Sequence, residues 1–227
     1  MTTPADVRRR ERDPELPGRL LTLERDALVP LLRSRQDADF ALPVPACPGW
    51  TVRDALAHCG AVLTRLVEGR WEKGAGGPEH NARDIAERAD WPVARIVDEL
   101  ERGLGEAGPA IAAQDGRRDG VALGEWIHAG DVREAWGLPG AYAGPGQADA
   151  LALLAWVTRT YRLVPVHADL DGYDEPLRLG DGTRAPGRYI GDAATLVRLY
   201  SGRPVGGAPY ELAGVEEAEL NIFGRRR

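Results

Sequence analysis

The chain has 227 residues, of which 43% are hydrophobic and 28% charged, so it is long enough to bury a globular core. Its formal net charge of −6 gives no global positive field, which argues against nucleic acid as the main partner. The sequence has neither an apolar run of about 18 residues nor the apolar core of a signal peptide near its start. We therefore expect a cytoplasmic protein with no membrane partner.

The beginning of the chain is charged and contains prolines, so we interpret residues 1–17 as a flexible lead-in. From Gly18 to Arg35, leucines recur at helical spacing and predict a first helix with one broad apolar stripe. Prolines follow this segment and predict its end.

A second helix is predicted from Thr51 to Glu68, because apolar residues line one face of that segment. Its start has a physical signature. Thr51 can cap the first turn, and Asp54, three residues on, places a carboxylate at the positive end of the helix dipole.

A Gly-Ala-Gly-Gly-Pro run lies within residues 69–90 and predicts a long crossover. Three more helices are predicted from their apolar periodicity and their flanking glycines and prolines, over residues 93–114, 121–136 and 147–163.

The residue pattern changes after the fifth predicted helix, from helical periodicity to short apolar runs. Short apolar runs at residues 177–179 and 188–190 flank Asp181-Gly182 and predict a β-hairpin. A short helix over residues 193–200 and a last apolar piece at residues 220–223 complete the pattern. The sequence thus predicts a mainly α protein, with a helical bundle over 18–166 and a small α+β domain over 167–227.

Two histidines and two carboxylates form the candidate site. Glu125 and Asp131 lie about 60° to either side of His128 on a helix, so the three side chains share a ~120° arc. His58 lies at a similar depth in the second helix, so the two imidazoles can meet inside the bundle. A hydrogen-bonded core histidine and a salt-bridged surface stripe are the alternative interpretations of these residues.

Two imidazoles and one carboxylate, with one position left for water, are typical of a catalytic zinc site. Nitrogen and oxygen ligands also admit nickel, iron or manganese. The two cysteines, Cys47 and Cys59, are too few for a disulfide framework and have no sequence cue for activation.

Several segments together resemble the mycothiol-dependent maleylpyruvate isomerase family of the DinB-like superfamily. The resemblance is carried by CPGWTVRD at 47–54 with Ala57-His58, WIH at 126–128 with DVR at 131–133, GLPG at 137–140, and APY at 208–210. It implies a DinB-like four-helix core, a divalent metal bound by histidines and one acidic residue, and mycothiol as the thiol.

Carried over, the resemblance assigns His58 and His128 as metal ligands. The family's acidic ligand stands four residues before the second histidine, where this chain has Gly124. Glu125 is predicted as the third ligand, with Asp131 as the alternative from the other side.

The function implied is a metal-dependent and thiol-dependent isomerase or transferase that acts on a small electrophilic substrate. Asp131 or Glu125 would orient His128 or move a proton. Zinc is the first candidate metal, and the expected oligomeric state is a monomer or a homodimer. The alternative function is a non-catalytic module that binds or senses a small ligand, which Gly124 favours.

Overall fold

The structure is a computed structural model that describes residues 12–72 and 74–224. Most of the predicted lead-in over 1–17 lies outside the described residues. Within the described part, the helices are α1 (Leu16–Arg33), α2 (Val52–Val67), α3 (Pro78–Ala86), α4 (Val93–Ala112), α5 (Asp119–Ala135), α6 (Gln147–Thr160) and α7 (Ala193–Ser201). The strands are β1 (Val166–Leu170), β2 (Leu177–Leu179), β3 (Gly187–Gly191) and β4 (Glu211–Ala213).

The predicted cap of α2 is present. Asp54 N–H donates to the Thr51 hydroxyl over 3.2 Å, and Thr51 N–H donates to the Asp54 carboxylate over 2.8 Å. This reciprocal pair satisfies two backbone donors that the first turn would otherwise leave without partners. It fixes where α2 begins, and therefore the depth of His58 two turns further on.

Helix α4 packs against both α1 and α2, and glycines allow the close approach. A Cβ atom on Gly103 would lie 2.6 Å from Leu63 Cβ, and one on Gly108 would lie 2.8 Å from Gly18 Cα. Side chains at these two positions would push the helices apart, because real Cβ atoms do not come so close to their neighbours.

The crossover predicted over residues 69–90 contains a helix, α3, that the sequence pattern did not predict. Gly77 precedes the helix and Pro78 occupies its first turn, where the missing proline N–H costs nothing. The polar composition of this segment concealed the helix. Within it, Asp84 is completely buried.

The four strands form one sheet in the order β2-β1-β3-β4. β1 pairs antiparallel with β2 and parallel with β3, and β3 pairs antiparallel with β4. The predicted hairpin between residues 177–179 and 188–190 is therefore wrong, because both segments are strands but β1 lies between them. A turn signal between two apolar runs indicates strands, but it does not reveal which strand pairs with which.

The prediction of a mainly α protein with a small α+β C-terminal part is confirmed. No helix among the described residues combines the length and apolar character needed to cross a bilayer.

Candidate functional site

The structure brings His58 of α2 and His128 of α5 together. Their ring centroids lie 5.6 Å apart, with the ring planes at 83°. Trp50, just before α2, lies beside both rings, with centroid distances of 5.2 Å to His58 and 6.0 Å to His128. His58 is buried, whereas His128 and Trp50 are partly exposed, so the pair of histidines reaches solvent on the His128 side.

The separation of the two rings suits a shared ion. A metal binds an imidazole nitrogen at about 2.0–2.1 Å, so two rings on one tetrahedral ion have centroids roughly 5 Å apart. The observed 5.6 Å is close to that value. The distance between the two rings is therefore compatible with a common divalent ion.

Each imidazole has a carboxylate partner at Nδ1. The Nδ1 atom of His128 lies 2.9 Å from an Asp131 oxygen, and that of His58 lies 3.4 Å from an Asp84 oxygen. Because carboxylates accept hydrogen bonds, both rings are assigned the tautomer with the proton on Nδ1. Each Nε2 then keeps its lone pair, as in the carboxylate–histidine pairs that support metal sites.

Asp131 is held from several sides. Arg203 donates to its two carboxylate oxygens over 3.1 and 2.6 Å, and Tyr142 donates its hydroxyl to the same group. Burial would raise the pKa of Asp131, but the bonds from His128 and Arg203 prevail and hold it well below its usual range. Asp131 thus stays ionised and fixed, which suits it to orienting His128.

Asp84 is the carboxylate partner of His58. It is fully buried and receives two hydrogen bonds from Arg65 besides the contact with His58. Burial opposes ionisation, yet these bonds leave the pKa of Asp84 below its ordinary value. The pKa of His58 is lowered, chiefly by burial, so the ring is kept neutral as a metal ligand requires.

Glu125 faces the interior. Its carboxyl group lines a cavity of about 10 Å³ together with Glu24, Cys59 and His128, among apolar side chains. Burial raises the pKa of Glu125 to about 8, and one of its oxygens has no hydrogen-bond partner among the described residues. The assignment of Glu125 as third ligand stays a prediction.

One set of three ligand-type side chains among the described residues has donor atoms all within 4.8 Å of one another: Cys47, His128 and Asp131. This set suits a cation poorly. Asp131 is already neutralised by Arg203, and burial raises the pKa of the Cys47 thiol to about 12. An ion here would have to displace a guanidinium and a proton, so the pair of histidines is the better candidate.

Gly124 lies one helical turn before His128, where the motif resemblance predicts an acidic ligand. A Cβ atom there would have its nearest neighbours at 3.8 and 3.9 Å, both on the ring of Phe223. Those are ordinary van der Waals distances, so the missing carboxylate reflects the residue present and not a lack of space.

Sequence reasoning missed Asp84, Tyr142 and Arg203. Asp84 belongs to the unpredicted helix α3, and Arg203 follows α7 in the C-terminal part. All three act through contacts between residues far apart or in irregular segments, for which spacing along the chain gives no signal. Gly130 carried one hint, because a Cβ atom there would lie 2.5 Å from the Tyr142 ring.

By its fold and its site, the chain is a mainly helical protein in which two histidines lie side by side, each with a buried carboxylate at Nδ1. The family within this class follows from the sequence match. The chain belongs to the family described as the mycothiol maleylpyruvate isomerase N-terminal domain, whose model matches residues 21–169. The family resemblance predicted from the motifs is confirmed.

Two solved structures resemble the chain. One is the mycothiol-dependent maleylpyruvate isomerase, at 17% sequence identity, and the other is a histidine-to-alanine mutant of a protein with that name, at 18%. Each alignment covers 96% of this chain and 98% of the other, with a TM-score of 0.53. Similarity at this level shows a shared fold. None of the curated proteins matches the chain.

Proposed function

We propose that this protein is a thiol-dependent isomerase or transferase acting on a small electrophilic substrate, with mycothiol as the thiol. A divalent metal ion, zinc first, would be held by His58 and His128. The observation that carries the proposal is the pair of adjacent imidazoles, each with a carboxylate at Nδ1. Membership of a family named for mycothiol and maleylpyruvate supports the thiol and the type of substrate.

The bound ion would lower the pKa of a thiol and hold it as the thiolate, the better nucleophile. For a cis-enone substrate, the thiolate adds to an alkene carbon and the C=C electron pair moves onto the carbonyl. Rotation about the new single bond and departure of the thiolate then give the trans-enone. No atom is gained or lost, so no oxidant or reductant is needed.

The chain's own thiols do not suit the role of nucleophile. Burial raises the pKa of Cys47 to about 12, the neighbouring charge of Asp131 acts in the same direction, and Cys59 is fully buried with its pKa raised further above the ordinary value. Both remain protonated near neutral pH. The nucleophile must therefore come with a second small molecule, which agrees with a thiol co-substrate.

The two carboxylates have different proposed tasks. Asp131 accepts hydrogen bonds from His128, Arg203 and Tyr142, so it orients the imidazole and does not exchange protons near neutral pH. Glu125, with a pKa of about 8, is the group on this side of the pocket that can hold or release a proton in that range.

A second candidate function is favoured by Gly124. Without a carboxylate at that position, the protein keeps two of three family ligands, and the loss of one ligand normally weakens metal binding. A pocket of this kind can bind or sense a small thiol without turning it over. The choice between the two functions depends on whether metal binds and whether turnover follows.

The experiment is a metal analysis of protein purified without chelator, combined with a mycothiol-dependent isomerisation assay on maleylpyruvate. We expect about one divalent ion per chain, lost in both His58→Ala and His128→Ala. His167→Ala is the matched control, because His167 is exposed on β1, away from the pair. Metal-free wild-type protein that binds mycothiol without turnover would favour the binding module instead.

A further inference from the structure

We propose that Asp84 is a positioning residue, which fixes the ring orientation and tautomer of His58 so that Nε2 keeps its lone pair for a ligand. The inference rests on the proposed function in treating His58 as a metal ligand. It concerns a residue in the segment between α2 and α4 that the sequence pattern describes only as a polar connection.

The contact is buried on both sides. Asp84 is 0% exposed and His58 6% exposed, and the carboxylate oxygen and Nδ1 lie 3.4 Å apart. The same oxygen accepts a hydrogen bond of 2.5 Å from Arg65. A buried oxygen shared by two donors has one orientation that serves both, so the His58 ring is directed as well as held.

Asp84 is itself anchored by the segment that carries it. Arg53, in the first turn of α2, donates to the backbone carbonyls of Arg88, Ala89 and Trp91 over 2.7–2.8 Å. Arg88 is buried and bonds to Glu99 of α4 over 2.5 and 2.7 Å. The end of α3 is thus tied to both neighbouring helices, which leaves Asp84 little freedom to move away from His58.

A second buried ion pair, outside this segment, provides a comparison. Asp84–Arg65 has side-chain exposures of 0% and 5%, and Asp119–Arg12 has exposures of 1% and 15%. The first pair contacts His58, whereas the second joins the start of α5 to Arg12. Replacing either pair with apolar residues of similar volume avoids leaving an unpaired charge in the core.

The test compares the double variants Asp84→Leu/Arg65→Met and Asp119→Leu/Arg12→Met with wild type. Zinc affinity is measured by chelator competition, and imidazole tautomers by ¹⁵N NMR without metal, with the His58 signal assigned by its absence in His58→Gln. We expect Asp84→Leu/Arg65→Met to bind zinc about 10- to 100-fold more weakly. Its His58 signal should shift from the Nδ1–H tautomer towards a tautomer mixture.

The Asp119→Leu/Arg12→Met control should keep zinc affinity within about threefold of wild type and leave the His58 signal unchanged, whatever its melting temperature. Equal losses in both double variants would overturn the proposal, since they would show a general effect of removing a buried ion pair. An unchanged His58 tautomer in Asp84→Leu/Arg65→Met would also overturn it. The single variant Asp84→Ala, which removes the acceptor and leaves space for water beside Arg65, provides the same two measurements if a double variant does not fold.

Failure of the proposed function gives a different result. If wild-type protein binds no zinc, the metal role of His58 is lost, but the tautomer measurement still decides whether Asp84 positions the ring.

Discussion

The two imidazoles of the site are oriented by the same chemical unit, a carboxylate at Nδ1, but the two units are built differently. His128 and Asp131 are three residues apart on α5, so one helix provides both. His58 and Asp84 are 26 residues apart on different helices, and their contact depends on how α3 packs. The local unit reaches solvent through His128 and is reinforced by Arg203 of the C-terminal part, whereas both residues of the long-range unit are buried.

One half of this site is determined by helix geometry, whereas the other half forms only through tertiary packing. In the local half, Arg203 and Tyr142 also donate hydrogen bonds to the Asp131 carboxylate. Asp131 therefore contributes more to the stability of the fold than the carboxylate of an isolated helical pair would.

The largest expected effect is on the free energy of unfolding. Asp131→Ala would leave the buried guanidinium of Arg203 without its partner, and breaking a buried ion pair costs about 3–5 kcal/mol. Urea unfolding measures the loss. The control is Asp169→Ala, which removes an exposed partner of Arg188 and should cost less than about 1 kcal/mol. A loss of similar size in both variants would show that Asp131 does not anchor the local half.

The second effect concerns pH. The pKa of Glu125 is raised from 4.5 to about 8 by burial, so the folded protein binds this proton more tightly than the unfolded chain. Its stabilising contribution is complete below about pH 4.5 and is lost as the pH rises towards 8. The free energy of unfolding should fall by at most about 1.4 kcal/mol per pH unit in this window.

Glu125→Gln should flatten that part of the stability–pH profile, measured by urea unfolding between pH 5 and 8. Glu79→Gln, at an exposed position of α3, should leave the profile as in wild type. If the profile of Glu125→Gln kept the full slope, another group would be responsible and the interior position of Glu125 would not matter for pH.

The smallest expected effect is on zinc affinity at the local half of the site. Gly124→Glu places a carboxylate one turn before His128, where only the Phe223 ring lies within 4 Å of a Cβ atom. A third ligand should tighten zinc binding by about tenfold, equivalent to about 1.4 kcal/mol. Gly124→Gln has the same size without the charge and should change affinity much less. Equal affinity in the two variants would contradict a metal at this place.

Much of the helical part could be predicted from the sequence, because apolar periodicity and capping residues act locally. The Thr51–Asp54 cap and the spacing of Glu125, His128 and Asp131 are of this kind. Helix α3 escaped prediction because its burial comes through a single charged residue, Asp84, and not through an apolar stripe.

The sheet shows the same limit. Strands β2 and β3 were recognisable as apolar runs, but their pairing depended on β1, whose five residues carry no signal for a central position. At the site, the convergence of His58 and His128 could be predicted from the depth of each histidine in its helix. The hydrogen bonds to Asp131 could not, because Tyr142 and Arg203 lie 11 and 72 positions away along the chain. Contacts of that range arise from the fold as a whole.

Zinc-edge X-ray absorption on the metal-loaded protein tests the central claim most directly, because it identifies the atoms bound to the ion. We expect two imidazole nitrogens at about 2.0–2.1 Å, with oxygen atoms and no sulfur completing the coordination sphere. A sulfur neighbour at about 2.3 Å would place the ion at Cys47 instead and contradict the histidine pair as its binding site.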